Sequence, residues 1–225
     1  MKYTPASTPA KSAAGSKPKA GKVVGRKTVP PGEIRIIGGL YKRSKLPVPS
    51  KPGLRPTPDR VRETLFNWLA SLAGVGGGAL PGWHCIDAFA GTGALGLEAA
   101  SRGAASVLLC EQDAALVAQL QAVKTKLEAE AVRIERGNGV TALERAPAGS
   151  LDVVFLDPPF DNAALYEPAL RAAARSLRAE GSVYLEAPRR WSGEELAALG
   201  LAEFRYLKAG AVHAHLLRPA AQGTA

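Results

Sequence analysis

The chain has 225 residues, of which 46% are hydrophobic, and its 29 lysines and arginines outnumber its 20 acids. This length allows one well-packed domain with extensions but not two large ones. No apolar run approaches the roughly 20 residues of a membrane helix, which excludes an integral membrane protein, and two cysteines are too few for a disulfide scaffold or a four-cysteine zinc site. We therefore expect a reduced, cytoplasmic protein.

The positive charge is concentrated near the N-terminus. Residues 1–60 hold 14 lysines and arginines against two acids, whereas residues 61–225 hold 15 against 18. Such asymmetry is typical of a segment that meets a polyanion, and lysines bind a phosphate backbone without reading its sequence. A tail that only aids solubility is the alternative. Because residues 1–32 contain few large apolar side chains, we predict that they form a disordered basic tail.

Order is predicted to begin near Glu33. Ile34–Ile37 has the pattern of a strand, Gly38-Gly39 that of a hairpin turn, and Leu40 onward that of a second strand. Thr57 has the form of an N-cap, and apolar residues repeat every three to four positions to predict a helix over Pro58–Leu72. Residues 33–80 are thus predicted to form a hairpin-and-helix extension that binds RNA, with Lys42, Arg43 and Lys45 on the hairpin.

From Trp83 onward, strand-like runs alternate with helical stretches, which is typical of a parallel sheet with helices on both faces. The predicted strands are Trp83–Phe89, Ser106–Glu111, Val132–Glu135, Asp152–Asp157 and Ser182–Glu186, and the predicted helices are Leu95–Arg102, Ala114–Ala129, Val140–Arg145 and Ala164–Leu177. Glu203–Lys208 and Val212–Leu217 flank a turn and predict a terminal antiparallel hairpin. We therefore predict a Rossmann-like α/β domain over residues 81–219, with a mostly parallel seven-stranded sheet and a short tail over 220–225.

A glycine-rich turn follows the first strand of this domain. Gly91 and Gly93 permit positive φ and close backbone approach, and Glu111, at the end of the next strand, is placed to accept both hydroxyls of a ribose. This arrangement predicts a nucleoside-containing cofactor. NAD is one alternative, but a carboxylate at Asp87 beside the loop would repel a pyrophosphate and would suit the ammonium of S-adenosylmethionine.

A second motif, Asp157-Pro158-Pro159-Phe160, directly follows an apolar strand. In a doubly wound sheet this strand end lies at the same edge as the Gly91 loop. The two prolines remove N–H donors, so the Asp157 carboxylate and nearby carbonyls offer acceptors beside an aromatic ring. Hydrogen-bond acceptors next to an aromatic ring suit a planar base that carries an exocyclic amine, and Phe160 can stack on the face of this base.

Other polar residues give weaker signals. Asn138, with Gly139, is placed to read an adenine edge, but an ordinary Asn-Gly turn is an equal alternative. His213 and His215 lie on one face of a strand without a third metal ligand. Cys85 and Cys110 occupy apolar strands and are expected to be core thiols.

With these motifs in view, the sequence resembles the bacterial RsmD family of S-adenosylmethionine-dependent guanine-N2 methyltransferases of small-subunit ribosomal RNA. The resemblance runs from about Arg35 to Pro219. Its motifs are Arg35–Gly39 (RIIGG), Gly53–Leu69 (GLRPTPDRVRETLFNWL), Asp87–Glu98 (DAFAGTGALGLE) and Asp157–Phe160 (DPPF). It implies a class I methyltransferase fold. A departure is Gly139, where relatives often carry alanine or an acid.

The resemblance also implies roles for individual residues. Catalysis would fall to Asp157, Pro158 and Phe160. The donor would be held by Asp87, Phe89, Ala90, Gly91, Thr92, Gly93, Glu111, Asn138, Gly139 and Asp157. RNA would be held by Arg35, Lys42, Arg43, Lys45, Arg55 and Arg60.

The resulting hypothesis is methyl transfer from S-adenosylmethionine to N2 of a guanine in 16S ribosomal RNA. The substrate would be a partly assembled small subunit and the enzyme a metal-free monomer. Three alternatives stay open: a DNA adenine-N6 methyltransferase, an NAD-dependent dehydrogenase, and a non-catalytic RNA-binding or assembly factor. The first of these would use an Asp-Pro-Pro-aromatic motif in the same way, because its target is also an exocyclic amine.

Overall fold

A computed structural model describes Met1 and residues 32–51, 54 and 56–220 of the chain. The predicted disordered tail over 1–32, except for its two end residues, lies outside the described residues. So do Arg55, one of the predicted RNA contacts, and residues 221–225 of the predicted C-terminal tail.

Seven of the nine strands in the described residues form one mixed sheet. Its order is β5-β4-β3-β6-β7-β9-β8, with β5, β4, β3, β6 and β7 parallel and β9 antiparallel to both of its neighbours. The strands are β1 (Gly32–Arg35), β2 (Lys45–Val48), β3 (His84–Asp87), β4 (Ser106–Glu111), β5 (Val132–Arg136), β6 (Leu151–Leu156), β7 (Leu177–Ala187), β8 (Leu201–Ala209) and β9 (Val212–Pro219). The predicted parallel sheet with a terminal hairpin is confirmed.

Six α-helices in the described residues cover this sheet. They are α1 (Asp59–Ala73), α2 (Ala94–Ser101), α3 (Ala114–Leu127), α4 (Gly139–Arg145), α5 (Tyr166–Ser176) and α6 (Gly193–Ala197). The short α6, closed by a capping box between Ser192 and Glu195, has no counterpart in the sequence prediction. No helix in the described part of the chain is both long and apolar enough to cross a bilayer.

The core has two apolar clusters, one on each face of the sheet. One face packs β-strand side chains such as Leu109 and Phe155 against α1, α2 and α3, and the other packs Val154 and Leu185 against α4, α5 and α6. Because side chains alternate between faces along a strand, parallel strands covered on both sides must be apolar at nearly every position. Cys85 and Cys110 are buried free thiols, one in each cluster, as predicted.

The N-terminal hairpin differs from the predicted one. β1 pairs with β2 through Arg35↔Lys45, so a nine-residue connection over 36–44 replaces the predicted Gly38-Gly39 turn. The first strand ends because the N–H groups of Ile37 and Gly38 donate to Glu98 of α2 and that of Leu40 donates to the Ser101 carbonyl. Contacts with α2 of the sheet domain therefore decide the conformation of this loop.

The start of α1 also differs from the prediction. Pro58, not Thr57, is the N-cap, and no side chain caps the helix. The Thr57 hydroxyl instead donates to Oε1 of Glu186, at the end of β7, over 2.6 Å. The residue that looked like a helix cap is thus part of a buried contact between the N-terminal segment and the sheet.

Glu98 is the main polar connection between the N-terminal segment and the sheet domain. Its carboxylate is fully buried and accepts hydrogen bonds from Ile37 N (2.7 Å), Gly38 N (2.8 Å) and Arg102 Nε (2.9 Å). The fully buried Arg62 of α1 lies 3.7 Å from it and donates to the carbonyls of Thr57 and Arg35. Charges this deeply buried are tolerated only when they are paired and hydrogen bonded.

We predict that Glu98→Ala lowers the free energy of unfolding by about 3–5 kcal/mol, because it removes the buried negative charge beside Arg62 and Arg102 and leaves two backbone N–H groups without an acceptor. Urea unfolding followed by circular dichroism measures the change. Glu167→Ala, which breaks the exposed Glu167–Arg171 pair on α5, is the control and should change it by less than about 1 kcal/mol. A Glu98→Ala variant as stable as this control would contradict the assignment.

Candidate functional site

A cavity of about 890 Å³ opens at the carboxyl edge of the parallel strands. Ligands in open α/β sheets bind at this edge, where the strand order reverses around the first strand of the unit. Most of the predicted donor and catalytic residues line it: Asp87, Phe89, Ala90, Gly91, Thr92, Glu111, Asp157, Pro158 and Phe160. The structure therefore brings the Gly91 loop and the Asp157 motif into one cavity.

Four carboxylates lie in a row across this cavity. Glu111, Asp87, Asp157 and Glu186 belong to β4, β3, β6 and β7 or directly follow them, and these strands are neighbours in the sheet. Alternation places all four side chains on the face of the sheet that α1, α2 and α3 cover. Asp87 pairs with Phe155, two residues before Asp157, so it forms a deeper layer of the cavity than the others.

Asp87 stabilises the glycine-rich loop through a hydrogen bond to the start of α2. Gly91 and Gly93 have φ values of 54° and 80°, in the left-handed region that a side chain rarely adopts. An oxygen of Asp87 accepts the N–H of Gly96 over 3.0 Å, in the first turn of α2. The loop thus brings backbone close to the cavity. Gly93 itself does not line the cavity and instead packs against Leu97 and Leu120.

Glu111 fixes the opposite side of the same loop. Its carboxylate accepts the N–H of Gly91 (2.9 Å) and that of Asp113 (2.8 Å). A carboxylate has about four lone-pair positions, so acceptor capacity toward the cavity is left after these two bonds. The residue that the sequence assigns to a ribose is therefore also the one that ties the Gly91 loop, which is the predicted donor loop, to β4.

The Asp157 motif forms the far wall of the cavity. Pro158 is buried, Asp157 is half-buried, and Phe160 is 37% exposed at the cavity mouth. Two consecutive prolines contribute no N–H groups, so this wall presents acceptors and an aromatic ring. The arrangement suits a planar amine-bearing group that enters from solvent.

Several lining residues were not predicted. Thr57 and Glu186 lie beside the Asp157 motif, Leu54 lies over Gly91, and Lys51 also lines the cavity. Lys51 forms an ion pair with Asp113, the N-cap of α3. The predicted strand Ser182–Glu186 ends on an acid, but no motif surrounds this acid, and only the strand order shows that it lies beside Asp157.

The cavity is strongly acidic. Six carboxylates line it, at Asp87, Glu111, Asp113, Asp157, Asp161 and Glu186, whereas Lys51 is the one lysine or arginine among its described lining residues. Burial raises the pKa of Asp87 to about 7, although hydrogen bonds from Gly96 and Phe89 oppose the shift. Burial also raises the pKa of Asp157 well above its usual range, and the charges of Glu186 and Asp87 add to this shift. Such a site favours a cationic ligand, which would stabilise the ionised acids.

The predicted adenine-reading pair lies at the edge of the site. Gly137 lines the cavity, but Asn138 and Gly139 do not. The Asn138 side-chain oxygen caps α4 by accepting the N–H groups of Val140 (2.8 Å) and Thr141 (3.4 Å). Gly139 packs so closely that a Cβ would lie 1.8 Å from the Ala88 carbonyl oxygen. In this structure the pair shapes the turn after β5, and its contact with a cofactor stays a prediction.

The predicted RNA-binding residues that the structure describes are exposed and lie outside the cavity lining: Arg35, Lys42, Arg43, Lys45 and Arg60. Arg35 pairs with Asp59 and Lys45 with Glu33, whereas the structure shows no ion pair of Lys42 or Arg43 with a described residue. The loop that carries Lys42 and Arg43 is bonded to Ser101 at the C-terminal end of α2. An eight-residue helix is about 12 Å long, so this loop lies roughly that far from the donor loop at its other end.

Within the described residues, no group of three or more histidine, cysteine, aspartate and glutamate side chains is arranged to hold a metal ion. His215 is buried and bonded to Glu203, and His213 is bonded to Tyr206.

Comparison with known proteins identifies the family to which this chain belongs. A sequence profile of the family described as "Conserved hypothetical protein 95" matches residues 34–218. "Ribosomal RNA small subunit methyltransferase D" of Escherichia coli (strain K12) is 48% identical over 136 residues, which are 60% of this chain and 65% of that protein. The chain thus aligns with slightly less than two thirds of the length of this relative. The protein of the same name from Haemophilus influenzae is 37% identical over 77% of this chain and 93% of its own length.

A solved structure shares the fold. The Escherichia coli protein yhhF, itself provisionally described as a methyltransferase, superimposes with a TM-score of 0.69 at 38% identity. The match covers 85% of this chain and 100% of that chain. The architecture is that of class I methyltransferases, as the sequence predicted.

We predict that the stability of the ligand-free protein falls as pH rises toward 7, and that Asp87→Asn weakens this dependence. The folded-state pKa of Asp87, about 7, exceeds its ordinary value of 3.8, so between these pH values the folded state binds more protons than the unfolded state. The free energy of unfolding therefore decreases with pH in this window. Urea unfolding between about pH 4.5 and pH 8 measures it.

Asn keeps an acceptor for the Gly96 N–H but cannot ionise, so the difference in slope isolates the Asp87 carboxyl. The expected contribution is on the order of 1–3 kcal/mol across the window, with the remaining slope due to Asp157 and other groups. If the free energy of unfolding had the same pH dependence in the unaltered protein and in Asp87→Asn, the raised pKa of Asp87 would be contradicted.

Proposed function

This chain belongs to the RsmD family, and we propose that it transfers a methyl group from S-adenosylmethionine to N2 of a guanine in small-subunit 16S ribosomal RNA. The observation that carries the proposal is the single cavity shared by the Gly91 loop and the Asp157-Pro158-Pro159-Phe160 motif. The names of the relatives from Escherichia coli and Haemophilus influenzae support the substrate class. Ribosomal RNA as substrate places the reaction in the compartment that contains ribosomes, the cytoplasm.

The residues present fit the donor. S-adenosylmethionine supplies an electrophilic methyl group on a positively charged sulfonium, and its amino-acid part carries an ammonium. An acidic cavity stabilises such a ligand, whereas the same acids would repel the pyrophosphate of NAD. We assign Glu111 to the ribose, and Asp87 with the backbone of the Gly91 loop to the amino-acid part.

Phe89, Ala90 and Thr92 line the same part of the cavity and complete the proposed donor site. The adenine lies, on this proposal, near Gly137 and the turn that Asn138 and Gly139 form. Asn138 has given its side-chain oxygen to the cap of α4, so the backbone of this turn is the part left to contact the base.

The proposed catalytic groups act on the acceptor amine. The lone pair of a guanine N2 is delocalised into the ring, and acceptors on its hydrogens allow the nitrogen to become pyramidal and nucleophilic. Asp157 and the Pro158 carbonyl supply these acceptors, and Phe160 stacks on the base at the mouth. As N2 gains the methyl carbon, the electron pair of the broken carbon–sulfur bond stays on sulfur and one N2 proton passes to the Asp157 carboxylate.

Positioning accounts for most of the rate enhancement in this scheme. The leaving group is good, so the protein mainly holds the amine in line with the methyl group and keeps water out. The raised pKa values of Asp87 and Asp157 in the free protein oppose their ionisation, and a bound cation reverses this effect. Donor binding therefore prepares Asp157 as a proton acceptor.

We predict that Asp157→Ala lowers kcat by about 100-fold or more, because the amine loses its carboxylate acceptor, with donor affinity changed only a few-fold. Transfer of labelled methyl to small subunits from cells lacking this protein measures kcat, and calorimetry measures the donor dissociation constant. Glu167→Ala, on the surface of α5, is the control. Equal losses of donor binding and turnover would contradict an acceptor role for Asp157.

We also propose that Lys42 and Arg43, with Arg35, Lys45, Arg55 and Arg60, hold RNA phosphates. The loop that carries Lys42 and Arg43 lies roughly 12 Å from the donor loop, which implies that these two residues contact nucleotides away from the target base. The double variant Lys42→Gln/Arg43→Gln should reduce the slope of log K against log salt by about 1–2, since each phosphate contact contributes about 0.9 in duplex regions. Arg43 has a φ of 71°, in the left-handed region, and glutamine has a conformational cost there comparable to that of arginine.

The matched control for RNA binding is Arg171→Gln/Arg178→Gln, which removes the same charge from α5 and from the start of β7. Filter binding to small-subunit RNA at several salt concentrations measures both slopes. A slope equal in the two double variants would show that Lys42 and Arg43 make no specific contribution.

A further inference from the structure

Glu186 lies beside the proposed catalytic acid and has no role in the reaction as described so far. Its side chain is 3% exposed and lines the cavity. Leu185 pairs with Leu156 in the parallel register, so Glu186 is the neighbour of Asp157, with backbones about 5 Å apart. In the sheet, β7 lies on the side of β6 away from β3 and β4. Glu186 is therefore on the side of Asp157 that faces away from the donor loop.

Two hydroxyl groups fix the orientation of the Glu186 carboxylate. Thr57 Oγ1 donates to its Oε1 over 2.6 Å and the Tyr184 hydroxyl donates to the same atom over 2.9 Å. Thr57 comes from the segment before α1 and Tyr184 from β7 itself, so the carboxylate is held from two directions. A buried acid oriented this firmly presents a defined acceptor rather than a mobile charge.

The chemistry of the bases makes a pair of acceptors selective. The edge of guanine that carries the N2 amine also carries the N1–H group, so two neighbouring positions are donors. Adenine and cytosine present their amines beside a ring nitrogen that is an acceptor. A carboxylate facing that ring nitrogen would be unpaired and repelled, which disfavours these bases.

We infer that Glu186 accepts the N1–H of the target guanine while Asp157 accepts an N2–H, and that this pair restricts methylation to guanine. The inference rests on the proposed function, since it assigns the base specificity of the same site. It also separates the guanine-N2 reaction from the adenine-N6 alternative. Both reactions require an acceptor for the amine, but adenine would require a hydrogen-bond donor at the position of Glu186, because its N1 is an acceptor.

The test compares two bases that share the amine and differ at N1; 2-aminopurine also lacks the 6-oxo group, so the role of Glu186 is read from the change in preference between the unaltered protein and its variants. Small-subunit RNA is prepared with either guanine or 2-aminopurine at the position that the unaltered protein labels; 2-aminopurine keeps the exocyclic amine, but its N1 is an acceptor. The unaltered protein should favour guanine in kcat/KM by about 10- to 100-fold or more.

Glu186→Gln should reverse part of this preference. The hydroxyls of Thr57 and Tyr184 hold the amide oxygen in place of Oε1, so the amide NH2 takes the other position and can donate to N1 of 2-aminopurine. The ratio of kcat/KM between the two RNAs should narrow at least about 10-fold, with donor affinity changed less than about three-fold. Glu186→Asp, which keeps the charge, should retain most of the preference.

Thr57→Val is the control for a structural role. This variant removes the hydroxyl bound to Glu186 but keeps the carboxylate. It should therefore alter the affinity for RNA without narrowing the ratio of kcat/KM between the guanine and 2-aminopurine RNAs. An unchanged ratio in Glu186→Gln, or equal narrowing in Thr57→Val, would overturn the role of Glu186 while normal transfer to guanine upholds the methyltransferase. Failure of the unaltered protein to methylate either RNA would overturn the proposed function and, with it, this inference.

Discussion

The site depends on the alternation of side chains in four neighbouring parallel strands. Because β4, β3, β6 and β7 run in the same direction, their carboxyl ends meet at one edge, and alternation gives Glu111, Asp87, Asp157 and Glu186 the same face. Burial at that edge makes ionisation of Asp87 and Asp157 costly in the ligand-free protein. A cationic methyl donor and a base edge rich in N–H groups are ligands that relieve this cost. The fold therefore specifies the chemical character of its ligands before any single contact is considered.

The N-terminal segment is joined to this sheet by contacts with both its structural and its functional parts. Glu98 of α2 holds the loop after β1 and lies beside Arg62 of α1, and Thr57 contacts Glu186 at the cavity. The helix that begins at the donor loop therefore ends at the loop that carries Lys42 and Arg43. Both the proposed donor site and the proposed RNA contact are positioned by the same short helix, which explains how exposed basic residues far from the cavity keep a fixed relation to it.

Much of the fold and site could be predicted from sequence because the signals are local. Apolar strands, the Gly91 loop and the Asp157 motif each lie within a few consecutive residues. The failures have tertiary causes. Gly38-Gly39 does not form a two-residue turn because Glu98 and Ser101, about 60 positions away, bind the backbone there, and Thr57 does not cap α1 because Glu186 binds its hydroxyl. Glu186 was missed because a strand-ending acid has no motif around it, and its neighbours become apparent only from the strand order.

The central claim is that the cavity joins a methyl donor to the N2 amine of guanine, and identification of the methylated nucleoside tests it most directly. Small ribosomal subunits from cells that lack this protein are incubated with the purified protein and S-adenosylmethionine labelled in its methyl group, and their RNA is digested to nucleosides. The account predicts that the label elutes as N2-methylguanosine from the 16S RNA. Label in N6-methyladenosine, or none above the Asp157→Ala background, would contradict it.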